Sequence, residues 1–328
     1  MWRDGPVDLV PIAPDDERLL RGWHVVESAA LAHDHPDEPQ LPWSAVRSRL
    51  AVPWPGTVAR AWAATDSGTV LGVGRLEIFV RDNLDAAHAD IVVDPAVRRR
   101  GIGRALLATL QGDLRDAGRT RLLADARSPL GGGSPGTAFA EAAGAVDAQL
   151  GIQRCLDPRT AAPPPVPGRE WPLVEWSGHT PGEWVDDVAR LAGRMATDSP
   201  QGDLDWEPEV HDAERVREHD ALCRARGITL LTTAAVAPDG RLAAYTELAV
   251  TEVEWAAHTW NTLVLPEHRG HALGLRIKIA GMTQLRRHRP AVRRLTTWNA
   301  ASNRHMIAIN DRLGFRPSGA AHEYRLDL

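Results

Sequence analysis

The sequence predicts an α+β protein with two domains, each built on a mixed β-sheet flanked by helices. Three observations lead to this fold class. The chain of 328 residues is long enough for two domains of ordinary size, a proline-rich segment divides it near the middle, and the two halves repeat one order of elements. Hydrophobic residues make up 43% of the chain, so each half can bury a core.

The proline-rich segment at 157–170 reads Asp-Pro-Arg-Thr-Ala-Ala-Pro-Pro-Pro-Val-Pro-Gly-Arg-Glu. Repeated prolines remove backbone donors and fix φ, so the segment cannot form a regular helix or a central strand. We therefore expect a semi-rigid linker. The predicted organisation is an N-terminal domain at 1–157, a linker at 158–170 and a C-terminal domain at 171–328.

The first half alternates apolar and polar residues where strands are expected and spaces apolar residues by three or four where helices are expected. Asp66-Ser67-Gly68 marks a hairpin between two β-rich runs. The predicted strands are 7–12, 57–65, 69–80, 89–93, 121–126 and 146–156. The predicted helices are 14–31, 101–117 and 136–143.

The second half repeats this order, with Pro238-Asp239-Gly240 at its hairpin. The predicted strands are 173–176, 228–237, 241–250, 259–264, 294–298 and 315–326. The predicted helices are 182–195, 209–226, 273–289 and 303–313. Such a repeat indicates an internal duplication.

Charge and cysteine content exclude several classes of function. The net charge of −5 gives no reason to expect a nucleic-acid partner. Cys155 and Cys223 lie in different halves and form no CxxC pair, so we expect neither a disulfide framework nor a thiolate zinc site. No third ligand is spaced to complete a metal site with the adjacent residues at 33–35. With no apolar leader and no run of about 18 apolar residues, we expect a cytoplasmic protein without a membrane partner.

One motif occurs twice, each time between a predicted strand and a predicted helix. Its prolines, Pro95 and Pro266, stand 171 residues apart, about one domain length. The first copy reads Val-Val-Asp-Pro-Ala-Val-Arg-Arg-Arg-Gly-Ile-Gly at 92–103. The second reads Leu-Val-Leu-Pro-Glu-His-Arg-Gly-His-Ala-Leu-Gly at 263–274. A single copy is also typical of a tight connection, but two copies in one context favour a binding function.

A turn that opens a helix presents unpaired backbone N–H groups and the positive end of the helix dipole. Glycines allow close approach of a bulky anion, and arginines add charge around it. The sequence therefore predicts a pyrophosphate cradle at each copy. Ala272 stands in the second copy where the first has Gly101, and its Cβ is expected to loosen that cradle.

The pattern V-x-P-x-x-R-x-x-G-x-G/A before an amphipathic helix resembles the acetyl-CoA loop of the GNAT acyltransferase family. Thr-Thr-Trp-Asn at 296–299, Asn303 and Leu-Gly-Phe at 313–315 resemble the family's fifth strand and fourth helix. The resemblance covers both halves and implies two tandem GNAT acyl-CoA N-acyltransferase folds that bind acetyl-CoA or another acyl-CoA.

The resemblance also implies which residues bind the cofactor, because the family's fourth strand bulges and pairs with the pantetheine arm. In the first copy these are Ile91, Val92, Val93, Arg98, Arg99, Arg100, Gly101, Ile102, Gly103 and Arg104. In the second they are Leu263, Val264, Leu265, Arg269, Gly270, His271, Ala272, Leu273, Gly274 and Asn303.

Acyl transfer to an amine needs a base for the ammonium and an acid for the leaving thiolate. The family's acid is a tyrosine on the fourth helix, and Ala140 and Asn310 occupy that position here. The second copy has more polar residues nearby, which favours acyl transfer there and a mainly structural role for the first. The candidate catalytic residues are Asn310, Glu247 and His258, with Glu252, Glu254 or a water chain as alternative bases.

The segment between the first two helices of the second half borders the acceptor pocket in this family. Its Asp203, Asp205 and Trp206 are candidates for holding a cationic amine, although acidic residues there also suit helix caps. We expect a small-molecule amine substrate and a monomer or homodimer. The alternative is a non-catalytic acyl-CoA sensor or scaffold.

Overall fold

A computed structural model describes residues 7–162, 164–165, 171–198 and 200–328. The described residues pack into two compact units: the first holds those at 7–125 and 325–328, and the second holds those between 126 and 324. The end of the predicted linker, at 163 and 166–170, lies outside the described residues. The predicted domain boundaries follow the sequence repeat and stay a prediction. No helix among the described residues is long and apolar enough to span a membrane.

The first unit is a five-stranded sheet with helices on both faces. Its elements are β1 (Asp8–Pro11), α1 (Glu17–Asp34), α2 (Trp43–Arg47), β2 (Thr57–Asp66), β3 (Thr69–Phe79), β4 (Ala86–Val93), α3 (Ile102–Asp116) and β5 (Arg121–Ser128). The strand order is β1-β2-β3-β4-β5, and β4 pairs with β5 in parallel while the other pairs are antiparallel. The predicted mixed sheet is confirmed, and α2 is a helix that the apolar spacing did not mark.

Helix α3 lies across one face of this sheet through the apolar residues spaced along it. Leu106, Leu110 and Leu114 are fully buried, as their i, i+4 spacing predicts. The helix approaches β3 closely at Gly72, where an added Cβ would lie 3.1 Å from Ile102 Cγ2. Helices α1 and α2 cover the other face, with Trp23, Val26 and Val46 in a second apolar cluster.

The second unit contains α4 (Pro135–Ala142), β6 (Val146–Leu156), β7 (Leu173–Ser177), α5 (Val185–Asp198), α6 (Ala213–Ala225), β8 (Thr229–Val236), β9 (Leu242–Val250), β10 (Ala256–Val264), α7 (Leu273–His288), β11 (Arg294–Ala300), α8 (Arg304–Leu313) and β12 (Arg316–Asp327). Its strand order is β12-β6-β11-β10-β9-β8-β7. Strand β6, predicted as the last strand of the first half, pairs antiparallel with β11 from Leu156–Leu295 to Gly151–Ala300.

The sheet of the second unit has a helical layer on each face. Helices α5 and α6 pack on Tyr245, Leu263 and their neighbours, while α7 and α8 pack on Leu248, Leu295 and Phe315. Helix α7 lies close to β9: a Cβ added at Gly281 would lie only 3.3 Å from Thr246 Cγ2. Alternate residues of β9 therefore face different layers, Tyr245 toward α5 and α6 and Thr246 toward α7.

Candidate active site

Both predicted phosphate loops have the same backbone path. Each leaves its strand, makes one turn of 3-10 helix at Pro95–Val97 or Pro266–His268, and then opens α3 or α7. The residue before each helix, Gly101 or Ala272, adopts a left-handed conformation and caps it without a side-chain hydrogen bond. The first-turn N–H groups of each helix consequently remain available to an anion.

Each loop has two residues with left-handed backbone conformation. The first loop has its glycine at the second of these positions, and the second loop has its glycine at the first. In the first loop they are Arg99 (φ 68°) and Gly101 (φ 85°). In the second they are Gly270 (φ 88°) and Ala272 (φ 53°). Nothing lies within 4 Å of a Cβ added at Gly101, so its space is open toward a ligand. This geometry fits a pyrophosphate group at the first loop and a less closely held one beside the Ala272 Cβ.

The arginine of the motif braces the loop in both copies. The Nε of Arg98 donates to the carbonyl of Val93 at 3.2 Å, and its two Nη atoms donate to Asp34 at 2.8 and 2.6 Å. Arg269 repeats the arrangement, with its Nε 3.3 Å from the carbonyl of Val264 and its Nη2 3.5 Å from Asp198. Asp34 and Asp198 are the last residues of α1 and α5. The Arg98 contact holds the pKa of Asp34 below its usual value.

The remaining basic residues of the loops are better placed to meet an anion. Arg99, Arg100 and Arg104 are exposed around the start of α3. In the second loop, His268 and His271 contact the ring of Trp171, with ring centroids 5.1 and 5.3 Å away. The roles of these residues toward a cofactor stay predictions.

In both units the strand before the loop separates from its parallel neighbour. The pairing of β4 with β5 ends at His88–Leu123, although β4 remains paired with β3 up to Val93. The pairing of β10 with β11 ends at His258–Thr296 in the same way. Beyond these points, one edge of the strand, at 91–93 and at 263–265, has no partner strand in the described structure. An open backbone edge ending at a phosphate loop fits an extended pantetheine arm.

The two copies differ in the strand that forms this edge. The pairing of β3 with β4 is continuous from Gly72–Val93 to Ile78–Ala87. The pairing of β9 with β10 shifts between Thr259 and Thr262, where Trp260 and Asn261 oppose the single residue Glu247. Two residues opposite one define a β-bulge. The family's bulge is therefore present in the second copy, and the first copy has a regular strand.

The bulge brings two consecutive side chains to the face covered by α6. The ring of Trp260 lies edge-on to His219 of α6, with centroids 5.6 Å apart. The amide Nδ2 of Asn261 donates to Glu247 Oε2 at 2.7 Å. In a regular strand neighbouring side chains point to opposite faces, so the bulge is what places both residues beside Glu247.

Glu247 is the buried carboxyl of this cluster, with 6% of its surface exposed. Burial raises its pKa to about 7, while the hydrogen bond from Asn261 lowers it and nearby Asp220 raises it. A carboxyl with this pKa exchanges its proton at neutral pH, as a general base must. The nearby His219 has its pKa lowered by burial and is neutral at that pH.

The corresponding face of the first unit is occupied by an ion-paired cluster. Arg75 donates to Glu77 Oε1 at 2.7 Å and, through Nε, to Asp90 Oδ2 at 2.9 Å. Burial alone would raise the pKa of Asp90, but the Arg75 guanidinium holds it well below its usual range. His88 lies 3.2 Å from Asp125, and against the effect of burial the two carboxylates raise its pKa to about 9.

The other predicted catalytic residues lie outside the Glu247 cluster. Asn310 is fully buried and its Nδ2 donates to Asn299 Oδ1 at 2.5 Å, while its own Oδ1 has no partner within the described residues. His258 Nδ1 lies 2.9 Å from Thr296 Oγ1, at the point where β10 and β11 separate. Asn303 caps α8 by accepting from Met306 N at 3.1 Å.

The predicted substrate residues lie on the loop that follows α5. Asp203 and Asp205 are exposed and Trp206 is half-buried. The loop contacts β6, since the N–H of Asp203 donates to the carbonyl of Ala148 at 3.0 Å. Their role toward a substrate stays a prediction.

The sequence analysis did not identify Trp260, Asn261 and His219 in the second unit. It also did not identify the Arg75 cluster in the first unit. Thr-Trp-Asn-Thr at 259–262 breaks the apolar alternation of a buried strand, and that break was the available signal. Arg75 and Glu77 stand two residues apart on β3, but the contact of Arg75 with Asp90 joins two strands, so local spacing in the sequence does not indicate it.

Known proteins resemble the chain over part of its first half or over most of its length. The model of the Acetyltransferase (GNAT) family matches residues 28–130, which include the first loop. A solved tandem GNAT protein from the clavulanic acid biosynthesis pathway is 31% identical, has a TM-score of 0.84, and matches over 98% of both chains. Mycothiol acetyltransferase of Salinispora tropica is 29% identical over 274 residues, which is 80% of each protein.

A GCN5-related N-acetyltransferase from Sphaerobacter thermophilus shares the fold at 17% identity, with a TM-score of 0.61 over 97% of this chain and 95% of that one. The fold thus agrees with that of a tandem GNAT protein over 98% of the chain. The chain belongs to the tandem GNAT acetyltransferases, N-acetyltransferases that take their acyl group from acetyl-CoA or another acyl-CoA.

Proposed function

We propose that this enzyme acylates a small amine, that its second copy performs the transfer, and that its first copy binds acyl-CoA mainly to support the fold. The observation that carries the assignment is the β10 bulge with Glu247 behind it. The first copy has a continuous β4 and an ion-paired cluster on that face instead.

Glu247 is the proposed general base. Its pKa of about 7 leaves a substantial ionised fraction at neutral pH, so the carboxylate can accept the proton of an ammonium acceptor. When bound, acyl-CoA supplies a thioester whose acyl carbon is the electrophile. The residues proposed to hold it are the backbone edge at 263–265 and the start of α7.

In the corresponding cluster of the first copy, the titratable groups Asp90 and His88 are poorly suited to this proton transfer. Asp90 stays ionised beside Arg75, so it is a weak base, and His88 stays protonated up to about pH 9. The complete phosphate loop with Gly101 nevertheless supports acyl-CoA binding there.

The surroundings of Glu247 favour a cationic acceptor of small size. Glu247 brings a buried carboxyl to this face, and Trp260 offers an aromatic ring for a cation. Two of the relatives that match most of the chain are named for mycothiol and for the clavulanic acid biosynthesis pathway, and both names refer to small molecules, which also supports a small-molecule acceptor.

The test measures thiol release from acetyl-CoA with a panel of small amines. Glu247→Gln keeps the size of the side chain and removes the base, so kcat is expected to fall by about 10²–10⁴-fold. The matched control is Glu77→Gln, a buried glutamate on β3 of the first unit, for which kcat is expected to change by less than about threefold.

Equal loss of kcat in the two variants would contradict the assignment of transfer to the second copy. Thiol release that no amine in the panel accelerates, together with acetyl-CoA bound in native mass spectra, would instead favour an acyl-CoA sensor or scaffold.

A further inference from the structure

Asn261 is held on both its side chain and its backbone. Its Nδ2 donates to Glu247 Oε2 at 2.7 Å. Its carbonyl accepts from Thr246 Oγ1 at 3.0 Å and from Thr262 Oγ1 at 2.8 Å. The hydroxyl oxygens of the two threonines also lie 2.8 Å apart. The bulged residue is thus fixed to β9 at two adjacent positions, one on each face of the sheet.

We propose that Asn261 is a positioning residue, which ties the carboxylate of Glu247 to the bulge that borders the acyl-CoA edge. This inference rests on the proposed role of Glu247 in the transfer. The bulge sets where Asn261 lies, and Asn261 sets where the carboxylate lies, so the base and the open strand edge have a fixed separation.

Asn261 is the hydrogen-bond donor to Glu247 among the residues that the structure describes. The other groups facing Glu247 oppose its ionised form or are neutral. Helix α6 presents Asp220, Cys223 and His219, and β9 itself carries Tyr245. Burial and Glu247 raise the pKa of Cys223 to about 12, so this thiol stays protonated.

Asp220 is itself fully engaged. It accepts from the Thr180 backbone N at 3.0 Å and the Thr180 hydroxyl at 3.2 Å, and Arg217 Nη1 lies 3.4 Å away. On the neighbouring strand β8, the residue opposite Glu247 is Thr232, which has no charge. Asn261 is therefore the group that favours the carboxylate and fixes its direction.

The test compares the pH dependence of kcat/KM in the wild type, Asn261→Ala and Asn261→Asp. Loss of the donor raises the pKa of Glu247, so the acid limb of Asn261→Ala is expected to move up by about one pH unit, roughly tenfold in rate on that limb. Asn261→Asp keeps the size of the side chain and adds a like charge, so its limb moves at least as far.

A second measurement does not depend on turnover. In protein labelled with ¹³C at the glutamate carboxyl, Glu247 is assigned as the signal lost in Glu247→Gln. Its titration is expected to move by the same amount in Asn261→Ala. The control is Gln153→Ala, which removes a buried side-chain amide of β6 whose oxygen accepts from Ser318 Oγ at 2.9 Å. In this variant the acid limb of kcat/KM should stay at the wild-type pH.

The proposal is overturned if Asn261→Ala lowers kcat equally at every pH while the Glu247 signal titrates as in the wild type. Failure of the proposed function looks different: the Glu247 titration responds to Asn261, yet no amine is acylated.

Discussion

Ala272 adopts a left-handed backbone conformation, with φ of 53°, at the start of α7. An L-residue other than glycine is strained there by about 1–2 kcal/mol. Replacing it by glycine relieves this strain, but glycine also raises the conformational entropy of the unfolded chain, which lowers stability by up to about 1 kcal/mol. The net gain in stability for Ala272→Gly is therefore small, and the main effect is expected on the binding of acyl-CoA.

We predict that Ala272→Gly lowers the KM for acyl-CoA severalfold, because the phosphate group can approach the backbone where the Cβ now projects. Steady-state kinetics with varied acetyl-CoA measures this change. Gly101→Ala is the matched control, since its loop lies in the copy that we assign a structural role. A KM that drops equally in both variants, or that rises with Ala272→Gly, would speak against a phosphate at this position.

Single residues also show where sequence reasoning was sufficient. The Gly101 and Ala272 difference was visible in the two aligned motifs, because the loop is local and its residues are consecutive. Glu247 was one of several carboxyls near the central strands that the sequence offered as candidate bases, and its role stays a proposal. Its burial and its bond to Asn261 could not be found, because both depend on the packing of α6 and on the register of β10.

At the scale of elements, each phosphate loop is connected to the end of a long helix by the arginine of the motif. The Arg98–Asp34 pair is bidentate with its side chains 21% and 23% exposed, whereas the Arg269–Asp198 contact is a single one of 3.5 Å and its arginine side chain is 50% exposed. A bidentate, partly buried pair contributes more than a surface pair. The first loop is thus the more firmly held of the two.

We predict that Arg98→Ala lowers stability by about 1–3 kcal/mol, because it removes two charge-assisted hydrogen bonds and a third to the carbonyl of Val93. Differential scanning calorimetry measures the change. Arg100→Ala is the control from the same loop: this exposed arginine should leave stability unchanged within about 0.5 kcal/mol. If Arg98→Ala melts like the wild type and loses only acetyl-CoA binding, Arg98 does not stabilise the loop and instead contacts the cofactor.

The bulge of β10 marks the limit of what the pattern of residues can predict about an element. Both copies read as similar short strands before a similar loop. A bulge is a property of two paired strands, and it is fixed here by Thr246 and Thr262 on one face and Glu247 and Asn261 on the other. Those partners lie about 15 residues apart in the chain, beyond the reach of local periodicity.

At the scale of the whole molecule, the packing units do not coincide with the sequence repeat. The repeat places the strand at 146–156 in the first half, whereas β6 belongs to the second unit and pairs with β11 over six residue pairs. Its Arg154 also donates to Asp311 of α8 at 2.6 Å. A cut at the proline-rich segment would therefore remove an internal strand of the second unit.

We predict that a fragment of residues 171–328 aggregates or melts without cooperativity, because the edge of β11 loses its partner and exposes apolar residues such as Leu295. A fragment of residues 126–328, which retains α4 and β6, should be monodisperse and melt cooperatively. Size-exclusion chromatography and circular dichroism melts distinguish the two. Supplying residues 126–162 as a separate peptide should restore cooperative melting to the shorter fragment. Equal stability of the two fragments without that peptide would show that β6 is dispensable and that the repeat boundary is also the folding boundary.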